Sequence, residues 1–118
     1  MEIKIPTDQE WMLFLENFSN YSFFQLPIWA RAYEKTYPQF KTATKLFIFD
    51  DGVEILVPLV ENSYKFGFKL YESSIYGGYG GFIWNRKPNN EQIKQILEYL
   101  FNNRILRLII NPNPFEWK

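Results

Sequence analysis

The stretch Tyr76-Gly77-Gly78-Tyr79-Gly80-Gly81 holds four of the six glycines in this chain of 118 residues. It separates a strand-rich middle from an end with helical periodicity. Glycine has no Cβ, so the backbone in such a run adopts positive φ angles and approaches a ligand or a neighbouring strand closely. A junction of this kind in an α/β protein is a common place for a ligand. The run is therefore the first candidate for a functional element.

The segment before the glycine run has a hydrophobic period of two. Residues 45–49 and 53–57 flank Asp50-Asp51-Gly52, and an Asp-Gly step between two β-rich runs predicts an antiparallel hairpin. A turn at Asn62-Ser63 and a third strand over residues 64–72 complete a predicted three-stranded meander. Pro58 cannot donate to a β-ladder, which predicts either an edge position or a bulge in the second strand.

Two helices are predicted before the meander. The sequence Thr7-Asp8-Gln9-Glu10 fits a capping box, which predicts a first helix over residues 8–18. The residues Phe23-Phe24-Gln25 are predicted as a short extended piece. Proline suits the first turn of a helix, so Pro27 predicts a second helix over residues 27–36. Trp29 on that helix is either the wall of a ligand cleft or an anchor in the core.

One helix and one strand are predicted after the glycine run. Apolar residues at helical spacing, starting at Ile93, predict an amphipathic helix that packs one face on a sheet and ends near Asn102-Asn103. Residues 105–110 are apolar on both faces, which is typical of an interior strand. The predicted fold class is α+β (α/β), with one domain over residues 1–118.

The composition excludes several kinds of chemistry. The chain has no Cys and no His, so it lacks thiolate and imidazole groups as nucleophiles, bases or metal ligands. Asp50 and Asp51 are interpreted as turn formers, and no metal site is expected. Thirteen Lys and Arg balance thirteen Asp and Glu, so DNA is not an expected partner. No apolar run has the length of a signal peptide or a membrane span, and a cytoplasmic location is expected.

Four short segments resemble a known family. Phe23-Phe24-Gln25-Leu26-Pro27-Ile28-Trp29 resembles the phenylalanine-glutamine-serine-proline-x-tryptophan element of FemABX-like proteins, a branch of the GNAT acyltransferase superfamily. Glu54-Ile55-Leu56-Val57-Pro58-Leu59 is similar to the family strand that ends in a proline-leucine pair. The glycine run is similar to the tyrosine-glycine loop after the third strand of the family, and Asn113-Pro114-Phe115 also fits. The predicted order of elements is that of the first two thirds of the GNAT fold, so the resemblance implies an incomplete GNAT-like unit.

The resemblance implies an acyl- or aminoacyl-transferase that acts on a substrate amine. Acyl-CoA or aminoacyl-tRNA would be the donor, and a small molecule or a peptidoglycan precursor would be the acceptor. A C-terminal half that this sequence lacks, or a second copy, would complete the protein. The resemblance does not identify a catalytic residue, but it implies these substrate-binding residues: Gln25, Trp29, Tyr76, Gly77, Gly78, Tyr79, Gly80 and Gly81.

Two departures from the family pattern concern phosphate binding. Ile75 occupies the place where the GNAT pyrophosphate loop has Gln or Arg, which counts against coenzyme A binding at this loop. Tyr33 occupies the place of a lysine that contacts substrate phosphate in peptidoglycan-type members, with Arg31 and Lys35 as the nearest cations.

Two other hypotheses remain open. The chain is alternatively a non-catalytic module that binds glycan or peptide through aromatic residues around Tyr71, Tyr76, Tyr79 and Trp84. It is also interpretable as a truncated unit whose last strand pairs with another half or another copy.

Overall fold

The computed structural model describes residues 1–17, 21, 23–63, 68–72, 81–101 and 105–109, with the last segment and Phe24 described by backbone alone. Three α-helices and eight strands lie within these residues, so the predicted mixed α+β class is confirmed. In chain order the elements are β1 (Glu2–Lys4), α1 (Asp8–Glu16), a 3₁₀ turn (Phe23–Gln25), α2 (Pro27–Thr36), β2 (Phe40–Thr42), β3 (Lys45–Ile48), β4 (Glu54–Val57), β5 (Val60–Ser63), β6 (Lys69–Glu72), β7 (Ile83–Trp84), α3 (Asn90–Leu100) and β8 (Ile105–Ile109).

Helices α1 and α3 begin with complete capping boxes. The Thr7 hydroxyl accepts a hydrogen bond from the Glu10 backbone N–H, and the Glu10 carboxylate accepts one from the Thr7 N–H, both at 3.1 Å. Asn89 and Gln92 form the same reciprocal pair at 2.8 and 3.0 Å. These bonds satisfy N–H groups that have no partner inside a helix. The predicted first helix is confirmed, although it ends at Glu16 instead of residue 18.

Helix α2 is confirmed over its predicted range, but the segment before it differs from the prediction. Phe23–Gln25 forms a 3₁₀ turn instead of an extended piece, and the Leu26 N–H donates to the Phe23 carbonyl at 3.1 Å. Leu26 itself is extended because a residue that precedes proline avoids the helical region. The tight turn therefore lies just before the Leu26-Pro27 step.

The predicted hairpin at Asp51-Gly52 is confirmed. Strands β3 and β4 pair antiparallel, with Ile48 opposite Glu54 next to the turn. Gly52 has a φ of 86°, which residues with a Cβ rarely adopt. Its N–H donates to the Phe49 carbonyl at 3.0 Å and closes the turn.

This hairpin is longer than predicted and continues into β2 and β5. Lys45 lies opposite Val57 in the β3–β4 pair, and Thr42 lies opposite Val60 in the β2–β5 pair. Lys45 comes three residues after Thr42, and Val57 comes three residues before Val60, so both pairs belong to one antiparallel register. Residues 40–48 and 54–63 thus form one long hairpin with an interruption in its ladder.

The interruption lies at Pro58, where the sequence predicts an edge or a bulge. The Ala43 N–H donates to the Leu59 carbonyl at 2.8 Å, but the Leu59 N–H donates to the Thr44 hydroxyl at 3.1 Å instead of a backbone carbonyl. Pro58 has no N–H, so its strand cannot form a full set of backbone hydrogen bonds at this point. The hairpin divides at this point into a first sheet of order β1-β3-β4-β7 and a second sheet of order β2-β5-β6-β8.

The predicted three-stranded meander is found only in part. Strand β6 pairs antiparallel with β5, which follows the predicted second strand, and it lies in a different sheet from β3 and β4. The predicted turn at Asn62-Ser63 is wrong, because both residues lie in β5 opposite Leu70 and Lys69. The predicted start of the third strand at residues 64–67 lies outside the described residues.

Strand β8 pairs parallel with β6, and α3 lies between these two strands in the chain. Parallel neighbours need a crossover connection of this kind. Strand β8 is the outermost of the described strands in the second sheet. Its apolar sequence predicts an interior position instead, and β6 is its one described neighbour.

Helices cover both faces of the sheets. Successive residues of a strand point to opposite faces, so Leu46 and Phe47 belong to different clusters. Helix α3 packs Ile96 and Leu100 on the Phe47 side, as predicted for its apolar face. Helices α1 and α2 pack on the Leu46 side through Trp11, Leu15 and Ala30.

Candidate functional site

Gln25 is fully buried at the end of the 3₁₀ turn. Its backbone carbonyl accepts a hydrogen bond of 2.8 Å from the Trp11 indole N–H. Its side-chain amide N–H donates to the Gly81 carbonyl over 3.4 Å. Gln25 thus connects α1, the turn before α2 and the last residue of the glycine run.

Gly81 is buried and has a φ of 99°. A side chain with a Cβ is strained in this conformation, so glycine is required at this position by the backbone itself. Two residues later Ile83 enters β7 and pairs with Leu56 of β4. The end of the glycine run is therefore held from one side by Gln25 and from the other by the first sheet.

Trp29 lies on α2 and is half-buried. Its ring contacts Tyr33 edge to face at a centroid distance of 4.8 Å, and Phe23 at 5.7 Å. It packs against the small cluster of Tyr33 and Val60. It also lines a shallow groove of about 300 Å³, called here the α2 groove, which is formed by Trp29, Ala32, Tyr33, Thr36 and Tyr37. Trp29 is thus both a packing residue and a wall of an open groove.

The other groove residues follow from helical spacing. Ala32 and Tyr33 lie three and four residues after Trp29 and share its face, and Thr36 and Tyr37 are the next positions of the same period. Of these five residues, only Trp29 is predicted from the sequence as a site residue. Extending the i, i+3, i+4 pattern to i+7 and i+8 is the signal that finds them.

Five of the predicted site residues, Tyr76, Gly77, Gly78, Tyr79 and Gly80, lie outside the described residues. Gln25 and Gly81 are brought together from 56 positions apart. Two aromatic residues of the binding-module hypothesis face the core instead of solvent. Tyr71 is buried in the main core cluster, and Trp84 packs against it.

Arg31 is committed to protein carboxylates. Its guanidinium forms a bidentate pair with Asp8 at 2.6 and 3.0 Å and a further bond of 2.9 Å to Glu34. The hydrogen bond from Arg31 lowers the pKa of Asp8, and the same bond raises the pKa of Arg31. The charge of Arg31 is therefore compensated within the protein, which leaves it little capacity to bind a phosphate.

The described site residues are suited to positioning and binding. Gln25 carries a neutral amide and Trp29 an indole, and neither group exchanges protons near neutral pH. Within the described part of the chain, no group of carboxylates could hold a metal ion. Every buried side-chain nitrogen and oxygen in that part has a hydrogen-bond partner.

Comparison with protein-family models, curated proteins and solved structures finds no match for this chain. Among the described helices, none combines the length and the apolar character that a membrane crossing needs.

Proposed function

We propose that this chain is the substrate-binding unit of an acyl- or aminoacyl-transferase of the FemABX-like branch of the GNAT superfamily. The observation that carries the proposal is the hydrogen bond from Gln25 to Gly81. It joins two segments that separately resemble the family, the Phe23–Trp29 element and the tyrosine-glycine run. A contact between them is expected if both belong to one substrate site.

The order of elements supports the same proposal. Helices α1 and α2 are followed by the interrupted meander, the glycine run, α3 and β8. This is the order that the resemblance requires for the first two thirds of the GNAT fold. The parallel pair of β6 and β8, with a helix between them in the chain, gives the α/β character to this part.

In the proposed mechanism, a substrate amine attacks the carbonyl carbon of a thioester or an aminoacyl ester. A C–N bond forms and a C–S or C–O bond breaks, so coenzyme A thiol or the tRNA hydroxyl leaves with the electron pair. The ammonium proton passes to the leaving group or to solvent. Backbone N–H groups of residues 77–81 would stabilise the oxyanion, while Gln25 holds the end of this run and Trp29 borders the acceptor.

Donor binding tests this proposal. Thermal unfolding is measured with and without acetyl-CoA, and binding of aminoacyl-tRNA is measured separately on a filter. A ligand at 100 times its dissociation constant stabilises the folded state by about 2.7 kcal/mol. We expect either this gain with acetyl-CoA or filter retention of aminoacyl-tRNA. The response should be lost in the double variant Gly78→Ala/Gly80→Ala and kept in Glu91→Ala, an exposed control on α3.

Two results would contradict the proposal. One is a cooperatively unfolding chain that responds to neither donor. The other is a donor response that the double glycine variant keeps in full, since the run would then take no part in binding.

The α2 groove favours a second candidate function, a module that binds glycan or peptide without catalysis. Trp29 and Tyr37 present partly exposed rings, and aromatic faces stack well on sugar rings. Tryptophan fluorescence is titrated with a chitin oligosaccharide and with a muropeptide, using Trp29→Phe to identify the responding indole. A saturable change that Trp29→Phe abolishes supports the module, and a flat titration contradicts it.

A further inference from the structure

The register of the second sheet surrounds one glutamate with basic and phenolic side chains. Glu61 on β5 lies opposite Lys41 on β2 and opposite Tyr71 on β6. Residues directly opposite in an antiparallel pair point to the same face. Lys69, two residues before Tyr71, shares that face, and its ammonium lies 3.2 Å from the Glu61 carboxylate.

Lys45 joins this group from the first sheet. It is the first residue of β3, immediately after the interruption in the long hairpin, and it is half-buried. Its charge interacts with Glu61 and Lys69, while burial lowers its pKa. Within the described residues the Lys45 ammonium makes one hydrogen bond, 3.0 Å to the Ala43 carbonyl, and no ion pair. An ammonium has three donors, so two remain for a ligand.

These residues form what we call the Glu61 patch: Lys41, Lys45, Glu61, Lys69 and Tyr71. Three lysines against one glutamate leave a formal net charge of +2. Lys41 is exposed and the Lys69 side chain is 38% exposed, so the patch is open to solvent.

We propose that the Glu61 patch binds a phosphate group, with the ammonium groups of Lys45 and Lys69 as donors. A phosphate dianion matches the net charge of the patch, whereas a carboxylate monoanion leaves one positive charge uncompensated. Glu61 holds the Lys69 ammonium in place and keeps the lysines from repelling one another when the ligand is absent. This site lies apart from Gln25 and Gly81 in the sequence and does not depend on the proposed transferase activity.

The test uses inorganic phosphate as the probe and the whole chain as the protein. Calorimetric titration is run at about pH 7.5, where the dianion predominates, with sodium chloride holding the ionic strength constant. Lys45→Met and Lys69→Met each remove one ammonium but keep most of the side-chain length. Lys87→Met, at an exposed lysine outside the patch, is the matched control.

We expect saturable phosphate binding by the unmodified chain and by Lys87→Met. Binding is expected to weaken about fivefold or more in Lys45→Met and in Lys69→Met, because each loses a charge-assisted hydrogen bond. Lys45→Met is expected to fold, since it removes a half-buried charge, and circular dichroism checks this. If it does not fold, Lys69→Met alone decides.

Three results would overturn the proposal. They are the absence of saturable binding by the unmodified chain, equal weakening in Lys87→Met, and binding of acetate as tight as that of phosphate. The first would show that the lysines are merely solvated, the second that only overall charge matters, and the third that the patch does not select a dianion.

Discussion

Replacing Gln25 with alanine tests how strongly the end of the glycine run is held. The side chain is fully buried, and its amide donates to the Gly81 carbonyl. Leaving a buried carbonyl without its donor costs about 1–3 kcal/mol. Removing buried methylene groups costs about 0.8 kcal/mol each. We therefore expect Gln25→Ala to lower the free energy of unfolding by about 2–4 kcal/mol.

Urea denaturation followed by circular dichroism measures this loss. Gln9→Ala is the matched control, because Gln9 is exposed in the first turn of α1 and its replacement should change stability by less than about 0.5 kcal/mol. A loss below about 1 kcal/mol for Gln25→Ala would refute the reasoning. In that case water would replace the amide at the Gly81 carbonyl, and the contact could not be what fixes the end of the run.

Three further predictions follow from single residues. Gly52→Ala should cost about 1–2 kcal/mol in urea denaturation, because a Cβ is strained at a φ of 86°, and an unchanged midpoint would contradict the turn geometry. Leu56→Ala should cost about 2–5 kcal/mol because Leu56 is fully buried, whereas Leu13→Ala, at a 54% exposed side chain, should stay within about 0.5 kcal/mol. Arg31 lowers the pKa of Asp8, so the ion pair stabilises the fold above the ordinary carboxyl pKa and is lost as the pH falls through the folded-state pKa. Stability is therefore measured by urea denaturation between about pH 2 and pH 7. As the pH falls, Asp8→Asn should lose about 0.5 kcal/mol less unfolding free energy than the unmodified chain, a small difference because both side chains of the pair are nearly half exposed. An equal loss in the two proteins would refute a stabilising ion pair.

The elements that the sequence predicts well are those whose signals are local. The capping box at Thr7 and the proline at position 27 lie within four residues of the helices that they begin. The Asp-Gly step determines the hairpin turn in the same way, through the backbone freedom of Gly52. Each of these signals depends on one short segment, so no knowledge of distant residues is needed.

The elements that the sequence analysis misses depend on distant pairing. Strand β1 has three residues, and Ile3 lies opposite Phe47 far along the chain. Strand β2 is equally short and pairs with β5. Three residues are too few to show a period of two, so only the partner strand makes such a segment extended.

The candidate site also has parts that local sequence predicts and parts that only the folded chain brings together. Gln25 and Gly81 are each predicted, but their hydrogen bond is a property of the folded chain that neither segment encodes alone. The Glu61 patch has no motif at all, because its members come from four strands and meet only through register. Trp29 is intermediate, since helical spacing places it on a face with Tyr33 but does not say whether that face is covered.

The break at Pro58 links the fold to the proposed phosphate site. Next to Pro58 the ladder is irregular, and the Thr44 hydroxyl takes the Leu59 N–H in place of a backbone carbonyl. The long hairpin divides into two sheets at this point, and Lys45 is the first residue beyond it on its strand. Its ammonium then bonds the Ala43 carbonyl across the break and interacts with Glu61 of the other sheet. In a regular ladder the Leu59 N–H would bond the Ala43 carbonyl, so the break next to Pro58 leaves that carbonyl to the half-buried Lys45 ammonium.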